Sequence, residues 1–368
     1  MKEINIASVL LNKRREKGIT QDELANYIGV SKAAISKWET AQSYPDITLL
    51  PILAAYFNIS LDDLMGYEPQ MTKEDIKILY HKLCEDFASE EFDTVIAHCH
   101  TIIKKYYACF PLLFQMGVLF INHAMLAGTQ EKTMTLNEEA RELFHRIQNE
   151  SDDVNLAKQA MHMEALSCIT LNNPKAALVL LEDTAKPQMT SGVLLSTAYQ
   201  MIGQKDKAKT AIQVDIYQNI MIIFGSYPSL LMLYADDEVK FQASLDRIFA
   251  LDEAFGIRSM HPGIVIPVLL VAAQGYAMQG HMEKALDMLQ RYVEIATNSM
   301  FPWTLHGNEF FDKLDDWFND LDFGTDMPRS KEIIKGSIIE SVSENPMFQQ
   351  LKENSRFNSI IEQLKNKL

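Results

Sequence analysis

The sequence predicts an all-α chain, and three observations carry that expectation. Helix formers such as Ala, Leu, Met, Glu, Lys and Gln are plentiful, while 368 residues hold only 12 Pro and 15 Gly. Apolar residues recur at helical spacing almost from end to end. The central part repeats itself at about 34 residues, the period of stacked helix pairs. With 47% hydrophobic and 23% charged residues the composition is that of an ordinary globular chain, which excludes disorder and collagen-like arrays.

The first sixty-six residues divide into five short helices. Ile6, Val9, Leu10 and Leu11 give the first an apolar face, and Lys17-Gly18 stops it. Thr20 is placed to cap the second, Gln21–Ile28, with Glu23 three residues on completing a capping box. Gly29-Val30 forms a tight turn that needs positive φ, and Ser31 caps the third helix, Lys32–Glu39, whose Ile35 and Trp38 face inward. Pro45-Asp46 opens a fourth helix through Phe57, and Ser60 caps a fifth, Leu61–Met65. Charge sets this head apart. Residues 1–66 hold seven Lys/Arg against eight Asp/Glu, a net of −1, whereas the rest hold 27 against 41, a net of −14. Only the head is therefore suited to meet a polyanion.

The run from Ile19 to Glu39, continued through Pro45-Asp46 and Leu49–Leu64, resembles the Cro/repressor-type (XRE-family) helix-turn-helix, a λ-repressor-like DNA-binding head. Ala25, Gly29 and Ile35 hold the places where that family packs its two motif helices. The resemblance implies roles residue by residue. Gln21 would touch a phosphate and brace the recognition helix. Lys32, Ala33, Ser36 and Lys37 would read base edges, Lys through guanine and Ala33 through a thymine methyl. Thr40, Gln42 and Ser43, together with Lys13, Arg14 and Arg15, would contact phosphates. Lys32 stands where some phage repressors have Gln, so no operator carries over.

After a linker at residues 67–71, a repeat domain is expected over 72–300 and a helical cap over 301–368. The clearest repeat reads Leu269, Ala272, Ala273, Tyr276, Gly280, Ala285, Leu289. A second reads Leu195, Ser196, Tyr199, Gly203, Ala208, Ile212, and a third Met161, Ala165, Cys168, Asn172, Ala177, Leu181. Ala permits close helix crossing and Gly or Asn takes the turn, so the pattern resembles tetratricopeptide repeats stacked as an α-solenoid. Gly117, Phe120, Ala140 and Phe144 fit a degenerate copy if about eleven extra residues lie in a Met125–Thr135 loop, and Leu83, Asp86, Glu90, Val95 and Cys99 fit another. In the cap, Phe310, Phe311, Leu314, Trp317, Phe318 and Leu321 form an apolar helical stripe opposite Asp312, Asp315, Asp316 and Asp320. Asn345–Leu351 and Ser355-Arg356-Phe357 are expected to seal the last repeat.

The segments Ile216–Ala235 and Ser259–Met282 carry no Asp, Glu, Lys or Arg and are long enough to span a bilayer. Gly225 and Pro228 should split the first, and Pro262, Gly263 and Pro267 should break the start of the second, so both are read as buried helices and no membrane span is expected. Cys84, Cys99, Cys109 and Cys168 show no paired spacing and are read as free buried thiols of a cytoplasmic protein. On a helix His98 and His100 point about 200° apart, too far to share a metal. No phosphate-binding or nucleophile-elbow motif occurs, so neither an enzyme nor a cofactor is expected.

The domain order resembles that of the Gram-positive peptide-pheromone regulators (the Rap, Rgg, NprR, PlcR and PrgX group). The resemblance implies a transcriptional regulator, a homodimer on a double-stranded operator, whose concave repeat wall binds a short signalling peptide in quorum sensing. The alternative is a regulator whose repeats hold a partner protein. Repeat register places Asn122, His162, Leu166, Thr197, Gln200, Met201, Leu270, Gln274 and Met278 on that wall, where Asn and Gln clamp a peptide backbone and Met adapts to apolar side chains. The Phe310–Leu321 stripe is a candidate subunit interface if exposed.

Overall fold

Caps and a left-handed glycine divide the head where the sequence places them. The computed structural model describes residues 5–66, 71–182, 191–301, 304–322 and 324–368. Its first five helices are α1 (Ile6–Glu16), α2 (Gln21–Ile28), α3 (Lys32–Glu39), α4 (Leu50–Phe57) and α5 (Leu61–Met65). Glu23 N donates to Thr20 Oγ1 at 3.2 Å, and Thr20 N donates to Glu23 Oε2 at 2.7 Å, which closes the capping box. Gly29 takes φ 83°, a conformation strained for any residue with a Cβ, and Ser31 Oγ caps α3 through Ala34 N. One boundary differs. Asp46 caps a 3₁₀ turn, Ile47–Leu49, before α4 begins. An α-helical bond to Ile47 O would need the N–H that Pro51 lacks, so Leu50 N donates there instead.

Leu10, Leu24, Ile35, Leu53 and Leu64, one from each helix, are fully buried and make the centre of the head core. Each contributes about 2 kcal/mol of transfer free energy. Ile35→Ala would leave a cavity between α3 and its neighbours at a cost of about 2–5 kcal/mol. Residues 67–70 of the expected linker lie outside the described residues.

The chain divides into two compact units, residues 1–78 with 92–177 and residues 79–91 with 178–368. Helix α6 (Lys73–Ser89) contributes to both. Beside the head, the first unit holds α7 (Phe92–Lys105), α8 (Phe110–His123), α9 (Gln130–Glu150) and α10 (Val154–Thr170), with α9 packed on α8 and α10. A Cβ at Gly117 would meet the Phe144 ring, so glycine is what lets α8 and α9 approach this closely. The expected Met125–Thr135 loop is instead a 3₁₀ turn, Ala124–Ala127, followed by the start of α9, which Thr129 caps. A further uncharged stretch, residues 106–130, supplies α8.

The second unit runs on from α11 (Pro174–Leu181), itself shared between the units, through α12 (Ser191–Met201), α13 (Lys205–Leu233), α14 (Glu238–Phe255), α15 (Ile257–Met260), α16 (Pro262–Met278) and α17 (Met282–Asn298). Its last helices are α18 (Asp315–Asn319), α19 (Lys331–Ser343) and α20 (Ser355–Lys367). The repeat signature holds locally. Gly203 and Gly280 turn the chain between α12 and α13 and between α16 and α17, and Asn172 does so after α10, all with positive φ. Ala272, Ala273, Ala285 and Leu289 are fully buried where α16 crosses α17. All four cysteines are free and buried.

Several expectations fail in this unit. Helix α16 is not broken at its start: Pro262 stands in its first turn, where no intrahelical donor is needed, and the helix continues to Met278 with Pro267 inside it. Helix α13 is not split at Gly225 and Pro228: it runs unbroken, packed on α12, α14 and α16, with Pro228 inside it. Pro228 forfeits one backbone donor, and the neighbouring helices hold the rest in place. Nor is α13 mostly buried. By length and composition Phe110–Ala127 and Lys205–Leu233 are long and apolar enough to cross a membrane; the apolar window of the first is 61% buried, that of the second only 22%.

The aromatic stripe of the cap is not one helix, because only Asp315–Asn319 is helical. Asn308 Oδ1 accepts from Phe310 N and Phe311 N, and Asp315 Oδ1 accepts from Gly307 N, so side chains replace the helical ladder upstream. Phe311, Leu314 and Phe318 are fully buried, and Phe311 and Phe318 stand edge-on to Tyr217. They are unavailable as a subunit interface. Helix α20 lies on α17, the 3₁₀ turn Pro346–Leu351 lies on α16, and Arg356 bonds Glu283 and Asp287.

Candidate nucleic-acid interface

The two faces of α3 have opposite fates. Ile35, Trp38 and Glu39, at positions i, i+3 and i+4, are buried. Lys32, Ala33 and Lys37 are exposed and Ser36 is half-exposed. Lys32 Nζ lies 2.8 Å from Asp22 Oδ2, but both side chains are 59% exposed, so this pair contributes little and leaves Lys32 available. The Lys37 ammonium makes no hydrogen bond or ion pair among the described residues. With Ser31 Oγ accepting only from Ala34 N, the amides of Lys32 and Ala33 remain at the positive end of the helix dipole.

Glu39, at the other end of α3, organises the motif. Its carboxylate accepts from Arg14 Nε at 2.5 Å and Nη2 at 2.9 Å, and from Gln21 Nε2 at 2.9 Å. Arg14 Nη1 donates to Ile19 O at 2.8 Å. One buried carboxylate thus ties the last turn of α3 to α1 and to the start of α2. Burial alone would raise the Glu39 carboxyl, but hydrogen bonds from Arg14 and Gln21 and the charges of Arg14 and Arg15 outweigh it and hold it below the ordinary carboxylate range. The hydrogen bond to Glu39 in turn raises Arg14.

Arg14 therefore departs from the phosphate contact expected of it. Its side chain is only 13% exposed and its guanidinium is committed to Glu39 and Ile19. Gln21 is the brace that the resemblance implies. Lys13 is paired with Glu16, whereas Arg15 is exposed and its guanidinium makes no hydrogen bond or ion pair among the described residues. After α3, Thr40 Oγ1 donates to Ser36 O, and Gln42 N and Ser43 N donate to Lys37 O, so the loop is closed by its own backbone. The Gln42 and Ser43 side chains are exposed. Sequence reasoning missed Glu39, although a carboxylate in the apolar phase of a helix demands a partner.

Comparison with known proteins matches the helix-turn-helix family to residues 10–64. The head is a helix-turn-helix domain. The HTH-type transcriptional activator BcrR of Enterococcus faecalis is 37% identical over 59 residues, which are 16% of this chain and 29% of that protein. The chain thus spans less than a third of this curated relative. Among solved structures, ComR of Streptococcus vestibularis aligns over 87% of this chain and 98% of its own at 13% identity and a TM-score of 0.29. ComR of S. thermophilus, in complex with DNA and its signalling peptide ComS, aligns over 79% and 93% at 11% identity and a TM-score of 0.21.

The residues expected to face a ligand fall in both units. Asn122, on α8, and His162 and Leu166, on α10, belong to the first; Asn122 is half-buried, His162 and Leu166 exposed. Thr197, Gln200 and Met201 on α12 and Leu270, Gln274 and Met278 on α16 belong to the second. Thr197 Oγ1 donates to Val193 O and Gln200 Nε2 to Ser196 Oγ, so two of the polar groups on α12 already bond within their own helix. Met201 and Met278 are 84% and 54% exposed, and Leu270 and Gln274 are half-buried.

Proposed function

We propose that the chain is a cytoplasmic transcriptional regulator that reads double-stranded DNA with α3. The division of α3 into a braced, buried face and a free polar face carries this reading. Lys32, Ala33, Ser36 and Lys37 meet base edges, and Arg15, Thr40, Gln42 and Ser43 meet phosphates, while Gln21 and Arg14 hold α3 at its angle. One such head covers little of a duplex, so two copies act together on half-sites about one helical turn apart. Selection of bound duplexes from a random pool, followed by footprinting with the purified chain, tests the reading. An enriched motif protected by the chain supports it; uniform recovery of all sequences contradicts it.

We further propose that the helical body holds a short, largely apolar signalling peptide. The exposure of Met201 on α12 and Met278 on α16, flexible apolar groups within the second unit, supports this. A second reading, a protein partner, is favoured by α13, where Ile222 is 66% and Leu233 76% exposed within the uncharged stretch 216–235. Thermal-shift screening against short apolar peptides, beside mass spectrometry of what co-purifies with the chain, separates the two.

A further inference from the structure

The second unit contains an open cavity of about 570 Å3 that the proposed groove residues do not line. Leu195 and Tyr199 of α12, Val214 of α13 and Trp317 of α18 form its apolar walls, and Asp215 and Gln218 add polar groups. Asp215 is half-buried, and its carboxylate makes no hydrogen bond or ion pair among the described residues. The helix positions that would ordinarily neutralise it, three and four residues to either side, are Ile212, Ala211, Gln218 and Asn219, none of them cationic. Lys207 also lines the cavity, but it precedes Asp215 by eight residues, about 12 Å along the helix, and its ammonium lies 5.7 Å from the Tyr199 ring centroid. A Cβ at residue 192 would collide with the Asp215 side chain, so Gly192 makes the room that this carboxylate occupies.

A carboxylate with no ion-pair partner among the described residues, set beside the aliphatic and aromatic side chains of this cavity, has the chemistry of a receptor for a cation on an apolar body. The carboxylate supplies charge-assisted hydrogen bonds, and the Trp317 ring, with Leu195 and Val214, adds apolar contact. The net charge of −14 outside the head favours cations and repels anions. We propose that this cavity binds an organic cation, a primary ammonium or a guanidinium, with Asp215 as its counter-ion. A free amine and the amino terminus of a peptide satisfy the same chemistry; only the peptide form rests on the peptide reading above.

Calorimetric titration of the full chain separates these sources, with phenethylammonium as one probe and an apolar hexapeptide, with a free or an acetylated amino terminus, as the other. The expected result is binding of at least one free-amine probe to the wild type, weakened about tenfold or more in Asp215→Asn and lost in Asp215→Lys. Gly192→Ala, which displaces the carboxylate without removing its charge, should weaken the same probe. If phenethylammonium binds and neither peptide does, the cation site stands and the peptide reading fails. Free-amine binding unchanged in Asp215→Asn overturns the cation site; equal binding of the free and acetylated peptides overturns only its peptide form and leaves the peptide reading standing. Failure of every free-amine probe to bind the wild type overturns it as well.

Discussion

Arg14 and Glu39, twenty-five residues apart, form a two-pronged ion pair at 2.5 and 2.9 Å with side chains only 13% and 3% exposed. It joins the first helix of the head to the last turn of the helix proposed to read DNA. A helix that is to read bases needs its angle held, and this pair, with Gln21, ties α3 to α1 and α2.

Arg14→Ala strands a buried carboxylate, so it should lower the stability of the head by about 3–5 kcal/mol. Replacing both partners, as Arg14→Met with Glu39→Leu, should recover most of that loss, because no charge is then left unpaired. Urea unfolding of the isolated head, once it is shown to fold, or of the full chain measures both. A single-mutant loss no larger than that of an exposed pair, about 0–1 kcal/mol, would contradict the assigned brace.

The same pair sets an acid limit. Because the folded Glu39 carboxyl sits below its unfolded value near 4.3, its stabilisation is complete above that pH and is lost as pH falls through the lower folded value. Glu39→Gln should flatten that acid-side fall in head stability. An unchanged profile in the variant would assign the effect elsewhere.

How far the sequence reached depends on whether the deciding interaction is local. Thr20, Glu23, Gly29 and Ser31 act within a turn of where they stand, and each does what its position implies. Glu39 does not: its partner is twenty-five residues away, and at the end of a helix it reads as a solvated charge until its phase with Ile35 and Trp38 is noticed. Gly225 and Pro228 are local breakers overruled by the helices packed around α13. The reverse holds near Asn308, where side-chain bonds to the backbone stop a helix that apolar spacing suggests. The approach of Asp215 to Gly192 is a tertiary relation between two helices, and no spacing in the sequence announces it.

His261 provides a second, separate pH dependence. Burial lowers it to about 4, and its Nδ1 lies 2.9 Å from the Tyr217 hydroxyl. The unfolded chain takes up this proton near pH 6.5 and the folded chain does not until about pH 4, so stability should fall by about 1.4 kcal/mol per pH unit between them. Urea midpoints for the wild type and His261→Gln between pH 7 and 5 check this; parallel curves would place the histidine in water.

For the body, Gln274→Ala should weaken a cognate peptide by roughly 5–150-fold, the effect of about 1–3 kcal/mol for a lost amide partner. The half-exposed position of Gln274 predicts little change in the melting temperature of the free chain. Unaltered affinity by calorimetry would move the peptide off α16.

The central claim is that the exposed face of α3 reads bases while Arg15 only meets phosphate. Its most direct test is equilibrium binding of the wild type, Lys32→Ala and Arg15→Ala to a selected duplex and its single-base variants across a salt series. Lys32→Ala should lose about 1–3 kcal/mol of discrimination at one base pair, whereas Arg15→Ala should weaken all duplexes alike and reduce the salt slope by about 1. Unchanged discrimination in Lys32→Ala together with an unchanged slope in Arg15→Ala would contradict the account.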